Sequence, residues 1–102
     1  MLDVDHFKAF NDTYGHQNAD AVLCAISRAM VEEVRGEDVV CRYGGEEFAI
    51  LLPGAGIDES RDRAEALREA VYERTERNVT VSIGVSAYPT AWKFLGIASA
   101  CR

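Results

Sequence analysis

The stretch from residue 39 to residue 52 constrains the fold more than any other part of the chain. Two short apolar segments, VVC at 39–41 and FAILL at 48–52, flank the polar run RYGGEE. Apolar runs of this length beside glycine are typical of strands, so the stretch is predicted to form a β-hairpin. Glycine permits a turn with positive φ and close approach of a ligand, and exposed backbone N–H groups can bind phosphate. Adjacent glutamates can hold a hard cation such as Mg²⁺, so the tip is predicted to bind phosphate and metal.

Cap and spacing patterns predict three helical segments. Residues 7–14 form a helical turn that closes at Gly15. Asn18 or Asp20 is predicted to cap the second helix, and Gly36 is predicted to end it. Asp58 is predicted to cap the third helix, which is rich in charged residues.

Strand patterns at both ends of the chain complete the predicted fold. Residues 1–4 form a short strand, and Val79–Ala87 is the clearest strand because β-branched residues dominate it. The order strand, helix, strand, strand, helix, strand predicts an α+β, ferredoxin-like βαββαβ fold with helices packed on an antiparallel sheet. The first strand normally lies beside the third in such a sheet. Asp3, at the end of the first strand, is therefore predicted to approach Glu46 on the hairpin.

Composition and charge exclude several classes of partner. The 102 residues suffice for one domain, and the net charge is −6, from 17 acidic and 11 basic residues. A duplex-binding domain usually carries a basic face, so no nucleic-acid partner is expected. No apolar stretch is long enough to cross a bilayer, so no membrane insertion and a cytoplasmic location are expected.

Four segments together identify a family resemblance. The segments are DVDHFKAFND at residues 3–12, YGH at 14–16, RYGGEEF at 42–48 and VTVSIGV at 79–85. In order and spacing they resemble the GGDEF diguanylate cyclases. The resemblance covers residues 1–90, which would be a partial GGDEF domain, and residues 91–102 would be a C-terminal tail foreign to the family.

The resemblance implies a nucleotidyl-cyclase palm-like fold and a defined reaction. Such enzymes condense two GTP into cyclic di-GMP with Mg²⁺ or Mn²⁺, and two domains meet face to face, as a homodimer or higher oligomer. By position, Asp3 and Glu46 would be the metal-binding carboxylates, with the Val4 carbonyl as a further ligand. Glu47 would help to deprotonate the attacking 3′-hydroxyl, so Glu46 and Glu47 would be the catalytic pair.

The resemblance also implies a set of nucleotide contacts. Lys8 and the backbone of Gly44 and Gly45 would touch the phosphates. Asn11 and Asp20 would bind the guanine edge, to which a carboxamide and a carboxylate are complementary. The structural alternatives are a turn residue at Asn11, a helix cap at Asp20 and an ordinary tight hairpin at the two glycines.

A second signature of the same family lies five residues upstream of the hairpin glycines. Arg35-Gly36-Glu37-Asp38 matches the RxxD pattern of the inhibitory product site, in which Arg35 and Asp38 would hold cyclic di-GMP. The alternative is a simple helix end, where an arginine is favoured by the helix dipole.

The two ends of the chain depart from the family pattern. Family members carry a helical segment before the first strand and a final helix whose basic residues reach the triphosphate, and neither pattern is present. The resemblance therefore implies a cyclase activity impaired by truncation. The alternatives are a catalytically inactive module that binds GTP or cyclic di-GMP, and a domain fragment that oligomerises.

Overall fold

The computed structural model describes residues 1–87, so the predicted tail at 91–102 lies outside the described residues. Seven elements follow one another in a single α+β unit. They are β1 (Leu2–Val4), α1 (Phe7–Tyr14), α2 (His16–Glu33), β2 (Val39–Arg42), β3 (Glu47–Leu51), α3 (Ile57–Arg74) and β4 (Val81–Ile83). No helix within residues 1–87 is long and apolar enough to cross a membrane.

The four strands form one antiparallel sheet in the order β2-β3-β1-β4. This order confirms the predicted fold class and places β1 beside β3 at the centre. Buried Leu2 pairs with buried Phe48 across the two central strands, so both side chains enter the core on the same face of the sheet. The helices cover that face, with α2 packed against α1 and α3, and α3 also packed against β4.

The core comes from apolar positions that recur at helical and strand spacing. Its largest fully buried side chains are Leu2, Ile26, Met30 and Val71. Ile26 and Met30 lie one turn apart on α2, as the four-residue spacing of the sequence predicts. Burial of each such side chain stabilises the fold by about 1.5–3 kcal/mol, so this face orients α2 against the sheet.

The predicted helix caps are wrong in detail. Gly15 ends α1 and also precedes α2, which starts at His16 and leaves Asn18 and Asp20 inside the helix. The Asn18 Nδ2 donates to the Tyr14 carbonyl at 2.8 Å instead of capping α2. Gly15 has φ 87°, a conformation that glycine adopts without strain, and this glycine joins the two helices without a longer loop.

Two other predicted helix boundaries also differ from the structure. The second helix ends at Glu33, with Val34 at the C-cap, before Gly36 is reached. At α3 the N-cap is Gly56, and Asp58 lies in the first turn without a side-chain cap hydrogen bond. There its negative charge still favours the helix dipole.

The last strand is much shorter than the predicted span of Val79–Ala87. Only Val81–Ile83 pairs with β1, because β1 itself has only three residues. Beyond this ladder Met1 and Gly84 exchange two bonds, at 2.9 and 3.0 Å, and at the other end the Asp5 N–H donates to the Thr80 carbonyl at 3.0 Å. The available partner, rather than β propensity, therefore sets the length of β4.

Candidate functional site

The C-terminal end of β1 meets the hairpin between β2 and β3. Asp3 pairs directly with Glu47, and the Val4 N–H donates to the Glu46 carbonyl at 3.2 Å. Leu2 and Val4 are buried while Asp3 is exposed, so Asp3 points to the sheet face opposite the core. Glu47 shares that face because paired residues of an antiparallel ladder do so. Residues that are 42 or 44 positions apart in sequence are thus neighbours.

The register refines the predicted carboxylate pair. Glu47 lies directly across from Asp3, and Glu46 lies one step further along, beside Val4. Like charges directly opposite each other destabilise a sheet. A cation between Asp3 and Glu47 or Glu46 would therefore offset the repulsion between these carboxylates. Within residues 1–87 no cluster contains three or more metal-ligating side chains. The oxygen donors present are therefore the paired carboxylates and backbone carbonyls.

The hairpin tip is held by its own backbone and by one arginine that the sequence reasoning overlooked. The N–H groups of Tyr43 and Gly44 donate to the Glu47 carbonyl at 2.8 and 3.2 Å. Arg42 donates from Nε to the Gly44 carbonyl at 3.1 Å and from its terminal nitrogen to the Gly45 carbonyl at 2.6 Å. The signal that would have identified it is an arginine two residues before a glycine pair, where its fork can reach the turn carbonyls.

The two hairpin glycines do not use the positive φ that glycine permits. In the described part of the chain, the glycines with positive φ are Gly15 and Gly54. A Cβ built on Gly45 would meet no atom within 4 Å. The protein itself therefore does not require glycine at position 45, and the lack of a side chain leaves the backbone open to a ligand.

The predicted guanine and phosphate contacts lie on the two helices after β1. Lys8 is exposed on α1, and Asp20 is exposed on α2, which packs against α1. Asn11 is half-buried, and its Oδ1 is buried without a hydrogen-bond partner among the described residues. Buried acceptors are normally satisfied, so this oxygen is suited to a donor from a ligand.

Asp5 has a structural role that the sequence reasoning did not assign. Its carboxylate accepts hydrogen bonds from the Ser82 hydroxyl at 2.6 Å and the Thr80 hydroxyl at 2.8 Å. These two bonds, the Ser82 bond first, lower the pKa of Asp5. Its N–H also donates to the Thr80 carbonyl at 3.0 Å. Asp5 thus fastens the junction between β1 and α1 to β4, two residues after Asp3.

The predicted inhibitory pair lies at the other end of β2. Arg35 and Asp38 precede this strand and the hairpin follows it, so about 13 Å of extended chain separates the two sites. The Arg35 side chain is 67% exposed and pairs with Glu59 of α3 at 3.4 Å. This guanidinium is available to a ligand in solvent.

Asp38 has a different environment from Arg35. Its side chain is 1% exposed, and Arg63 of α3 donates to its Oδ2 at 2.5 Å. The Arg35 N–H donates to the same oxygen at 2.7 Å. Burial raises the pKa of Asp38, but the Arg63 and Arg35 hydrogen bonds outweigh burial and the net pKa is lowered. Asp38 therefore fixes the loop in place and does not itself face solvent.

A comparison with protein families decides the ancestry of this site. The model of the family described as "Diguanylate cyclase, GGDEF domain" matches residues 1–94, which is most of the chain. The chain belongs to the GGDEF family. This assignment confirms the resemblance inferred from the hairpin and from the segment after β1.

Named relatives agree with the assignment. The GGDEF domain is 40% identical to diguanylate cyclase A of Treponema denticola over 94 residues, which are 86% of this chain and 25% of the relative. It is also 40% identical to the response regulator PleD of Caulobacter vibrioides over 95 residues, which are 85% of this chain and 21% of PleD. The chain thus spans about a quarter or less of these relatives.

A solved structure supports the fold independently. The GGDEF domain of DgcB from Caulobacter crescentus, solved in complex with c-di-GMP, superposes with a TM-score of 0.72 at 34% identity. The match covers 79% of this chain and 53% of that chain. The palm-like α+β fold of this GGDEF domain is therefore shared with cyclase domains.

Proposed function

We propose that this GGDEF domain condenses two GTP molecules into cyclic di-GMP, with a second copy of the domain holding the second GTP. The observation that carries the proposal is the junction of β1 with the hairpin, where Asp3 faces Glu47 and the Val4 N–H binds the Glu46 carbonyl. It supports a site in which carboxylates for a metal and open backbone for a triphosphate are adjacent. Each domain would contribute half of the reacting pair, as a homodimer.

The guanine is proposed to bind between α1 and α2. The unpartnered Oδ1 of Asn11 is an acceptor that suits the N1–H or N2–H₂ donors of guanine. The exposed carboxylate of Asp20 is a second acceptor for the same edge. Adenine lacks this pair of donors, so the set favours GTP over ATP.

The donor chemistry fits Mg²⁺ or Mn²⁺. Mg²⁺ commonly takes one or two carboxylates and completes its shell with water and substrate phosphates. Asp3 and Glu46, with the Val4 carbonyl, would hold such an ion, and the ion would neutralise charge on the triphosphate. Lys8 and the N–H of Gly45 would contact the remaining phosphate oxygens, whereas the Gly44 N–H already donates to the Glu47 carbonyl.

Bond formation follows from this placement. Each 3′-hydroxyl would attack the α-phosphate of the other GTP, form one phosphodiester bond and release one pyrophosphate. Glu47 is proposed to accept or relay the hydroxyl proton, since a half-buried carboxylate lies beside the proposed metal site. Two such steps give one cyclic di-GMP and two pyrophosphates, with positioning as the main contribution of the domain.

Calorimetry with GTP and Mg²⁺, combined with chromatography of the product, tests the proposal. We expect binding heat and cyclic di-GMP, and Glu46→Ala should lower turnover at least about a hundredfold because a metal carboxylate is lost. Glu69→Ala is the matched control, since Glu69 is exposed on α3 and makes no hydrogen bond or ion pair within residues 1–87. Heat without product would instead indicate an inactive binding module, and no heat would leave only an oligomerising fragment.

A product-binding role is proposed for the opposite end of β2. The exposed guanidinium of Arg35 would contact cyclic di-GMP, while Asp38, held by Arg63, would keep the loop in place. Arg35→Ala should weaken cyclic di-GMP binding by about tenfold or more, because a charge-assisted contact is lost. Arg61→Ala, which removes another exposed arginine of α3, should not. Equal affinity of Arg35→Ala and the unchanged chain in titration calorimetry would refute this role.

A further inference from the structure

At the hairpin tip the backbone carbonyls accept hydrogen bonds, whereas two backbone N–H groups do not donate any within residues 1–87. The carbonyls of Gly44 and Gly45 accept from Arg42, the Glu46 carbonyl from Val4, and the Glu47 carbonyl from two N–H groups of the turn. The N–H groups of Gly45 and Glu46 donate to no acceptor in the described part of the chain. Backbone groups in proteins are normally paired or solvated, so the tip presents two donors and few free acceptors.

Arg42 determines the direction of these donors. The Gly44 carbonyl and the Gly45 N–H belong to one planar trans peptide unit and point in opposite directions, and no cis bond occurs among the described residues. The same holds for the Gly45 carbonyl and the Glu46 N–H. Because the guanidinium gathers both carbonyls on its own side, both N–H groups are directed to the other side.

The ion-pairing choice of Arg42 is consistent with this role. Glu46 and Glu47 follow it within five residues, yet Arg42 makes no salt bridge with either among the described residues. Its forked donors bind carbonyls instead, which leaves both carboxylates available for a cation. Consecutive N–H groups that converge on one side form a concave anion site.

We propose that Arg42 is a positioning residue that orients the Gly45 and Glu46 N–H groups toward the phosphates of the nucleotide. The inference rests on the proposed function, because it assigns the phosphate contacts of that same site. Arg42 itself lies on the carbonyl side and does not contact the ligand.

An NMR titration in the presence of Mg²⁺ tests this role by comparing GTP with guanosine. Arg42→Ala should weaken GTP binding about ten- to a hundredfold and leave guanosine binding within about twofold, since the guanine contacts lie on α1 and α2. Arg42→Lys keeps the charge but lacks the fork, so its affinity for GTP should lie between those of the unchanged chain and Arg42→Ala. Arg61→Ala should change the affinity for neither ligand. A purely structural role would weaken both ligands equally in Arg42→Ala and Arg42→Lys, and that result would overturn the inference.

The test separates this inference from the proposed function. If the unchanged chain binds GTP and Arg42→Ala binds it equally well, the Arg42 role is wrong and the function stands. If the unchanged chain binds no GTP, the proposed function fails, and inorganic tripolyphosphate with Mg²⁺ decides the Arg42 role alone. Tripolyphosphate should then shift the Gly45 and Glu46 amide signals in the unchanged chain but not in Arg42→Ala. Equal shifts in both chains, or no shift in either, would overturn it.

Discussion

At the scale of single residues, two carboxylates connect parts of the fold that are distant in sequence. Asp5 accepts from Thr80 and Ser82, 75 and 77 positions away, and Asp38 binds Arg63, 25 positions away. Asp5 follows Asp3 by two residues and Asp38 follows Arg35 by three, so both contacts lie next to proposed ligand residues in the chain. They act as supports: Asp5 for the end of β1, and Asp38 for the loop that carries Arg35.

The lowered pKa values of these two carboxylates predict how the free energy of unfolding changes at acid pH. The pKa of each is lowered below 3.8, so the stability they contribute is present above pH 3.8 and is lost as the pH falls through the lowered values. The free energy of unfolding, measured by urea titration at a series of pH values, should therefore fall below about pH 3.8. Asp5→Asn should be less stable than the unchanged chain at pH 7 and should show a shallower acid fall.

A matched variant checks the source of this effect. Asp62 is exposed on α3 and makes no hydrogen bond or ion pair within residues 1–87, so Asp62→Asn should retain the slope of the unchanged chain. If Asp5→Asn and the unchanged chain have the same acid slope, the hydroxyl bonds to Asp5 do not support stability as described.

At the scale of elements, the joint between α1 and α2 positions the proposed guanine contacts. Gly15 alone separates the two helices, with φ 87° and ψ 166°. This region of backbone conformation is essentially restricted to glycine. Asn11 lies before the joint and Asp20 after it, so the angle at Gly15 determines whether they can reach the same base.

Gly15→Ala should therefore destabilise the fold by about 1–3 kcal/mol and weaken GTP binding together. Gly36→Ala is the control, since Gly36 has no positive φ and a Cβ there would meet no atom within 4 Å. It should change the free energy of unfolding by less than about 1 kcal/mol. Thermal melts and GTP titration of both variants measure the difference, and equal behaviour of the two would refute the proposed strain.

At the scale of the whole molecule, the central pairing of β1 with β3 organises everything else. One face of these strands supplies core side chains such as Leu2 and Phe48, and the other face presents Asp3 and Glu47. The core and the proposed metal site thus share one register. A slip by one residue would exchange the two faces, so core packing maintains the alignment of the carboxylates.

The local pattern of the sequence was sufficient for the order of helices and strands, the hairpin and the family. Each of these depends on residues that are close together in the chain, such as apolar runs beside the glycine pair or the four-residue spacing of Ile26 and Met30. Helix caps and the length of β4 were predicted less well. Caps depend on backbone angles such as that of Gly15, and β4 depends on how many partners β1 offers.

Only the tertiary structure decided which polar side chains are bound within the protein and which remain exposed to solvent. From the sequence, Asp38 and Arg35 are one signature, yet packing of α3 buries the first against Arg63 and leaves the second exposed. Likewise, Arg42 binds the turn carbonyls and not the nearby glutamates. The physical reason is that burial and hydrogen-bond partners are set by elements meeting across long stretches of chain, which local patterns do not encode. The family was thus determined by the sequence, and the supports around its signature were determined by the fold.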